Sequence, residues 1–240
     1  TDTRIFGATE KPMRRYPLMI FAAGFGTRMQ HLTKDRPKPL IKVGGKSLLD
    51  HAIGLGREAE CDPIVVNLHY KADQIQRHLK GTDILTIEET PDILETGGGL
   101  RNAVPVLGRD PVITTNSDTI WSGPNPVNLL KSAWDPDKMD GLLIVVPIAN
   151  TAGYDGYGDF AVDAKGQLNR GPGLVYGGVQ MIKTDTLHSI KDRAFSLNIL
   201  WDRMLAESKL FGLTYPGNWC DVGHPAGIGL AEKMLAENDV

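Results

Sequence analysis

LMIFAAGFGTRM, residues 18–29, is the stretch on which the fold turns. Leu18 to Ala23 form an unbroken apolar run, the pattern of a strand covered on both faces. Gly24-Phe25-Gly26 then turns the chain, and Thr27 and Arg28 follow at once. A buried strand, a glycine turn and a cation in that order suit three things: a dinucleotide fold, a phosphate cradle of another kind, or a turn without chemistry.

The dinucleotide reading fails on detail. The G-x-G-x-x-G fingerprint needs glycine where Met29 stands, and Arg28 sits where a pyrophosphate wants bare backbone. Asn67 and His69, not an acidic residue, end the next apolar run. A P-loop fails too. Gly44-Gly45-Lys46-Ser47 resembles its end, but Leu40 replaces the required earlier glycine. That segment reads as a turn leading into a helix capped by Ser47.

The phosphate cradle gains support downstream. Arg36-Pro37-Lys38-Pro39-Leu40 holds a lysine on stiff, extended backbone between two prolines. Alone it would be a surface turn. Following the same strand, it becomes a second cation beside the same loop. Backbone amides, Arg28 and Lys38 converging at the carboxyl end of a parallel strand make a triphosphate site.

The rest of the chain supplies the sheet that such a loop needs. Strands are expected at Leu18–Ala23, Pro63–His69, Asp83–Glu89, Pro111–Asn116 and Gly141–Ile148, with helices at Ser47–Glu60, Lys71–Lys80 and Gly98–Leu107 between them. This alternation predicts an α/β fold, a Rossmann-like, mixed but mainly parallel sheet flanked by helices. After about residue 148 the rhythm changes. A short hairpin is expected around Lys165-Gly166, a strand at Gly178–Lys183, helical runs near Thr184–Ile190 and Leu197–Glu207, a strand at Phe211–Tyr215 and a closing helix at Pro225–Glu237. The expected organisation is a flexible arm over 1–17 and one domain over 18–240. Within it, 18–148 is the nucleotide-binding core and 149–240 the part that completes a pocket.

Composition narrows the class. The 240 residues carry a net charge of −3, which offers no basic field for a nucleic-acid backbone. No apolar run reaches the roughly 18 residues of a membrane span. The first 17 residues lack the apolar core of a secretory signal. Cys61 and Cys220 are far apart and read as free thiols in a reducing compartment. The expectation is a cytoplasmic protein with no nucleic-acid or membrane partner.

At this point AAGFGTRM followed by RPKPL resembles the signature of the sugar nucleotidyltransferases, which join a nucleoside triphosphate to a sugar 1-phosphate. Leu94-Glu95-Thr96-Gly97-Gly98-Gly99 is similar to the family's loop that meets the nucleobase. Asn116-Ser117-Asp118 falls where a strand end carries the first metal aspartate. Trp219-Cys220-Asp221-Val222-Gly223 is similar to the late segment that brings the second. The resemblance spans residues 18 to about 235. It is greatest to short bacterial enzymes that make uridine-diphosphate N-acetylmuramate in cell-wall (peptidoglycan) recycling. Relatives acting on mannose, heptose or glucose 1-phosphates are also similar. Ser117 and His224 depart from the usual glycine and threonine.

The resemblance implies attack by the sugar phosphate oxygen on the α-phosphorus of the nucleotide, with UTP as the nucleotide, and loss of pyrophosphate. It implies a nucleotide site of Ala22, Ala23, Gly24, Gly26, Thr27, Arg28, Lys38, Glu95, Gly97, Gly98 and Asn116. It implies a sugar site of Asn116, Asp159, Gly178 and Asn198. Arg28, Lys38, Asp118 and Asp221 would be catalytic, with Asp118 and Asp221 as hard oxygen ligands for Mg2+. Structural alternatives stand beside several of these. Ala22 and Ala23 suit strand packing, Asp118 an Asx turn, Asp221 a helix cap and Asn198 an N-terminal helix position. None of the six histidines has metal-ligand spacing. The competing readings are a catalytically silent nucleotide-sugar sensor and transfer to a different acceptor on the same fold. A short carboxyl-terminal segment leads to an expected monomer or homodimer.

Overall fold

A computed structural model describes residues 14–108 and 110–237. The arm expected over 1–17 falls, for residues 1–13, outside the described residues. Seven strands make the body of the main sheet: β1 (Leu18–Phe21), β2 (Ile64–Leu68), β3 (Leu85–Glu88), β4 (Val112–Asn116), β5 (Gly141–Pro147), β6 (Leu174–Ile182) and β7 (Leu210–Thr214). Their order across the sheet is β3-β2-β1-β4-β6-β5-β7, and only β6 runs against the others. This is the mixed, mainly parallel sheet that the sequence predicts.

Helices cover it because alternate residues of β1 face opposite ways. Leu18 and Ile20 pack with Leu49, Ala52 and Ile53 of α1 (Leu48–Glu58) on one face. Met19 packs with Leu100, Ala103 and Leu107 of α2 (Glu95–Leu107) on the other. Ser47 caps α1 as expected, its Oγ accepting from the Asp50 amide at 3.0 Å. The preceding Gly44-Gly45 makes the turn of a two-stranded hairpin, Lys42–Val43 with Lys46–Ser47, so this segment is a capped turn and not a P-loop.

Three features differ from the sequence reading. Helix α2 starts at Glu95 and not at Gly98, so three of its first five residues are glycines that helix propensity disfavours. Strand β6 starts at Leu174, four residues before the expected position. A helix over Pro126–Ala133 is not among the expected elements; Asn125 caps it by accepting from the Val127 amide at 2.9 Å.

The early start of β6 matters for the site. Val179–Ile182 pairs with β4, whereas Leu174, beyond the carboxyl end of β4, pairs with Phe160. Phe160 belongs to the short hairpin Phe160–Val162 and Leu168–Arg170, close to the expected one. A register shift between Tyr176 and Gln180 bends β6 at this point. The hairpin is therefore carried to the edge of the region above β4.

A buried polar chain ties the carboxyl ends together. Asn67 Oδ1 accepts from the Ala22 amide at 2.8 Å, and Asn67 Nδ2 donates to Glu89 Oε1 at 2.7 Å. Glu89 Oε2 accepts from the Leu94 amide at 2.7 Å. Asn67 and Glu89 are 3% and 1% exposed, so every bond in the chain replaces water. Glu89→Leu leaves Asn67 Nδ2 and the Leu94 amide unpaired. It should lower stability by about 3 kcal/mol, read as a drop in the urea midpoint.

Candidate active site

The glycine turn leaves β1 directly over the site. Gly26 has φ +64°, and a Cβ there would lie 2.8 Å from Lys38 Cβ. Glycine is thus needed twice, for the left-handed backbone and for the approach of the Lys38 segment. Thr33 Oγ1 donates to the Gly26 carbonyl at 3.1 Å and helps hold the loop. At Gly24 a Cβ would meet nothing within 4 Å, so its bare backbone faces open space.

These residues border a cavity of about 330 Å³. Ala22, Ala23, Gly24, Gly26, Thr27, Arg28, Lys38, Glu95, Asn116 and Asp118 all line it. The lining also contains Asn67, Glu89, Thr96, Ser117 and Gly223, which the sequence reading did not assign. The Ser117 hydroxyl donates to the Phe21 carbonyl at 2.7 Å. It joins the ends of β4 and β1, which accounts for serine in place of the usual glycine.

Lys38 is 9% exposed, and its Nζ donates to Asp118 Oδ2 at 2.6 Å. Asp221 arrives through a separate three-stranded sheet, in which Asn218–Asp221 pairs with Thr119–Ser122 and Thr151–Ala152. The register sets Asp221 opposite Thr119, next to Asp118. The Val222 amide donates to the Asp118 carbonyl at 2.9 Å, which fixes the approach. A Cβ on Gly223 would lie 2.7 Å from Asp221 Oδ2 and 3.0 Å from Arg28 Nη1, so guanidinium and carboxylate both border that glycine.

Burial, and then the Asp118 charge, push the Asp221 carboxyl above its ordinary value; Lys38, Arg28 and His224 pull it back. Two carboxylates that raise the proton affinity of one of them are a charge excess that a divalent cation relieves. Among the described residues no group of three or more His, Cys, Asp or Glu forms a cage. Two carboxylates with the remaining positions left for phosphate oxygens and water are the donor set of a nucleotide-bound hard cation. The residues present therefore fit such an ion.

A second cavity of about 270 Å³ shares Phe21, Thr96 and Asn116 with the first. Asp159 and Asn198 line it, together with Phe160, Arg170, Tyr176, Gln180 and Trp201. Asp159 Oδ2 accepts from the Tyr176 amide at 2.8 Å. Asn198 is the first residue of a helix over Asn198–Ala206 and does not cap it; its Oδ1 accepts from Arg170 Nη2 at 2.8 Å. Gly178 lines neither cavity. It has φ +88°, and a Cβ would crowd Asn116 Nδ2 at 2.9 Å, so it acts by seating Asn116.

The expectation for Gly97 and Gly98 needs correction. Both amides donate to the Phe195 carbonyl, at 2.8 and 3.1 Å, and neither residue lines the cavity. A Cβ on Gly98 would lie 2.6 Å from the Arg193 carbonyl. They are glycines because the 193–195 segment packs onto the first turn of α2. Glu95 and Thr96, just before them, are the residues that face the cavity, and Glu95 does so with φ +58°.

Residues 18–212 match the MobA-like NTP transferase domain family. The chain belongs to that family. It is similar to the N-acetylmuramate alpha-1-phosphate uridylyltransferase of Caulobacter vibrioides, at 37% identity covering 91% of this chain and 96% of that one. It is similar to the enzyme of the same name from Neisseria meningitidis serogroup B, at 28% identity covering 90% and 96%. A solved structure of a putative glucose-1-phosphate thymidylyltransferase from Bacillus anthracis shares the fold, with a TM-score of 0.78 at 16% identity, covering 94% of this chain and 96% of that one. This chain is accordingly a nucleotidyltransferase. Among its described residues no helix is long and apolar enough to cross a membrane.

Gly26→Ala should cost about 1–2 kcal/mol for the left-handed backbone alone, plus the displacement of Lys38, measured by chemical unfolding. For Asp221 the sign follows from the raised carboxyl. The folded state holds this proton more tightly than the unfolded chain, so the carboxylate opposes folding once the pH exceeds its folded titration. In the presence of a chelator, Asp221→Asn should raise Tm at neutral pH. The gain should fade as the pH drops through the folded and then the ordinary carboxylate range.

Proposed function

We propose that the chain makes a nucleotide sugar and pyrophosphate from UTP and N-acetylmuramate 1-phosphate, in the cytoplasm, as a step of peptidoglycan recycling. The observation that carries this reading is a pair of adjacent cavities that share Phe21, Thr96 and Asn116. One is walled by bare backbone, Arg28, Lys38 and Asp118, with Asp221 held beside Asp118, and the other by rings and polar groups. The likeness to the two N-acetylmuramate enzymes supports the choice of sugar and base. In this reading residues 18–148 hold the nucleotide and 149–240 complete the sugar side.

The nucleophile, a phosphate oxygen, is already an anion, so no protein base has to create it. The barrier is the meeting of two polyanions in line, and catalysis reduces to positioning and charge. Amides of Gly24, Gly26 and Thr27 cradle the phosphates, and Arg28 holds the β- and γ-phosphates through the departure of pyrophosphate. Lys38, kept in place by Asp118, neutralises charge beside the α-phosphorus. Asp118 and Asp221 would hold the divalent ion, Mg2+ in this proposal, which when bound supplies Lewis-acid polarisation of the α-phosphate. Ala22 and Ala23 leave room for base and ribose, and Glu95 and Thr96 face the base. Asn116 stands at the junction of the two substrates.

Pyrophosphate release with Mg2+, UTP and N-acetylmuramate 1-phosphate tests the assignment. Asp118→Ala and Asp221→Ala should each lower kcat at least about 100-fold without unfolding the protein. Wild-type rates in either variant would sink the scheme. Arg28→Ala should weaken the triphosphate far more than the product nucleotide sugar, which has no γ-phosphate. Equal weakening of both, measured by calorimetric titration, would mean Arg28 is misassigned.

A further inference from the structure

Arg170 is the one cation among the residues that line the second cavity, and it lines that cavity alone. It ends the Leu168–Arg170 strand, opposite Phe160 in register. Its guanidinium lies over two rings, 5.0 Å from the Phe160 centroid and 5.6 Å from that of Trp201. Trp201 is itself fixed, since its Nε1 donates to Gln180 Oε1 at 2.8 Å. The cation is thus stacked and oriented from below.

Its edge is partly used. Nε and Nη2 donate to the single oxygen Asp202 Oδ1, at 3.2 and 2.7 Å, and Nη2 donates also to Asn198 Oδ1. Nη1 donates to none of the described residues. Arg170 and Asp202 are 40% and 63% exposed at their side chains, so this pair lies at the mouth of the cavity and water screens it. Asp159, the one carboxylate among the residues that line this cavity, has Oδ2 held by the Tyr176 amide. A guanidinium stacked on aromatic walls, oriented by Asn198 and Asp202 and keeping a free Nη1, is built to accept one more oxygen anion.

The anion it meets is not the reacting phosphate. In the proposed reaction that phosphate lies at the junction of the cavities, near Lys38, Asp118 and Asp221. The group facing Arg170 belongs to the sugar. We propose that Arg170 is a specificity residue that reads a carboxylate on the sugar and so selects an acidic sugar 1-phosphate over a neutral one. N-acetylmuramate carries such a group on its lactyl ether, and the flanking rings suit the apolar remainder of that ether. This inference rests on the proposed nucleotidyl transfer and adds to it the basis of sugar choice.

The test compares N-acetylmuramate 1-phosphate with N-acetylglucosamine 1-phosphate, which lacks only the lactyl ether, in pyrophosphate release with UTP. The wild type should favour the acidic sugar. Arg170→Met should lower the acidic-to-neutral ratio of kcat/KM at least about tenfold, mainly through KM, because a polar partner is left unpaired. Arg170→Lys should retain part of the ratio, and Asp202→Asn, whose amide oxygen can still accept from Nε and Nη2, should raise it by removing a competing anion. If Arg170→Met does not fold, these last two variants still decide. A wild-type preference for the neutral sugar overturns the role of Arg170 while nucleotidyl transfer stands. So does an equal loss on both sugars in Arg170→Met, which would make the residue a support for the hairpin. No release from the wild type with any sugar 1-phosphate would instead remove the underlying reaction.

Discussion

Strand β1 is covered on both faces by helices and has strands on both edges, and this leaves charge only one place to gather. Leu18, Met19 and Ile20 are fully buried, and the first polar work falls to the residues that follow Phe21. The glycine turn, Asn116 and Asp118 therefore collect at the carboxyl ends of β1 and β4, where backbone amides point outward and the sheet ceases to exclude water. The Ala22–Asn67–Glu89–Leu94 chain is the counterpart of that constraint. Polar groups that cannot reach water at these strand ends are bonded to one another, and in doing so they hold three loops in one geometry.

The two carboxylates reach the site from two different sheets. Asp118 sits just past a core strand, but Asp221 is brought by a three-stranded sheet of short strands. That sheet places a second negative charge beside the first in a half-buried position, which raises the Asp221 carboxyl and is unfavourable for folding. Lys38, Arg28 and His224 offset part of this. The arrangement is intelligible as a site prepared for a cation and a polyanion together, each of which relieves what the other aggravates. The side chains that carry charge are thus held by structure whose own stability they reduce.

The second cavity is built differently. Its floor is aromatic and hydrogen-bonded, and its charge is at the rim, on a hairpin that β6 carries past the end of β4. Such a hairpin can change residues without disturbing the sheet. In the proposed reaction, phosphate chemistry on β1 and β4 and sugar contacts on this extension would separate reaction from selectivity.

Much of this was legible in the residues alone. Periodicity located the core strands and the helices α1 and α2 to within a few residues, because a strand buried on both faces must be apolar throughout. The spaced AAGFGTRM and RPKPL elements led to the triphosphate reading, although Lys38 stands in a 3-10 turn over Lys38–Leu40 and not on the extended backbone expected between its prolines. Tertiary structure alone decided three matters. The glycines at 97 and 98 answer to the carbonyls of 193 and 195 and not to a base, since steric need is set by a neighbour distant in sequence. Asn67 and Glu89 became partners because β2 and β3 lie side by side. Arg170 came to the second cavity because β6 overruns β4, a consequence of strand register that no pattern within Leu168–Arg170 carries.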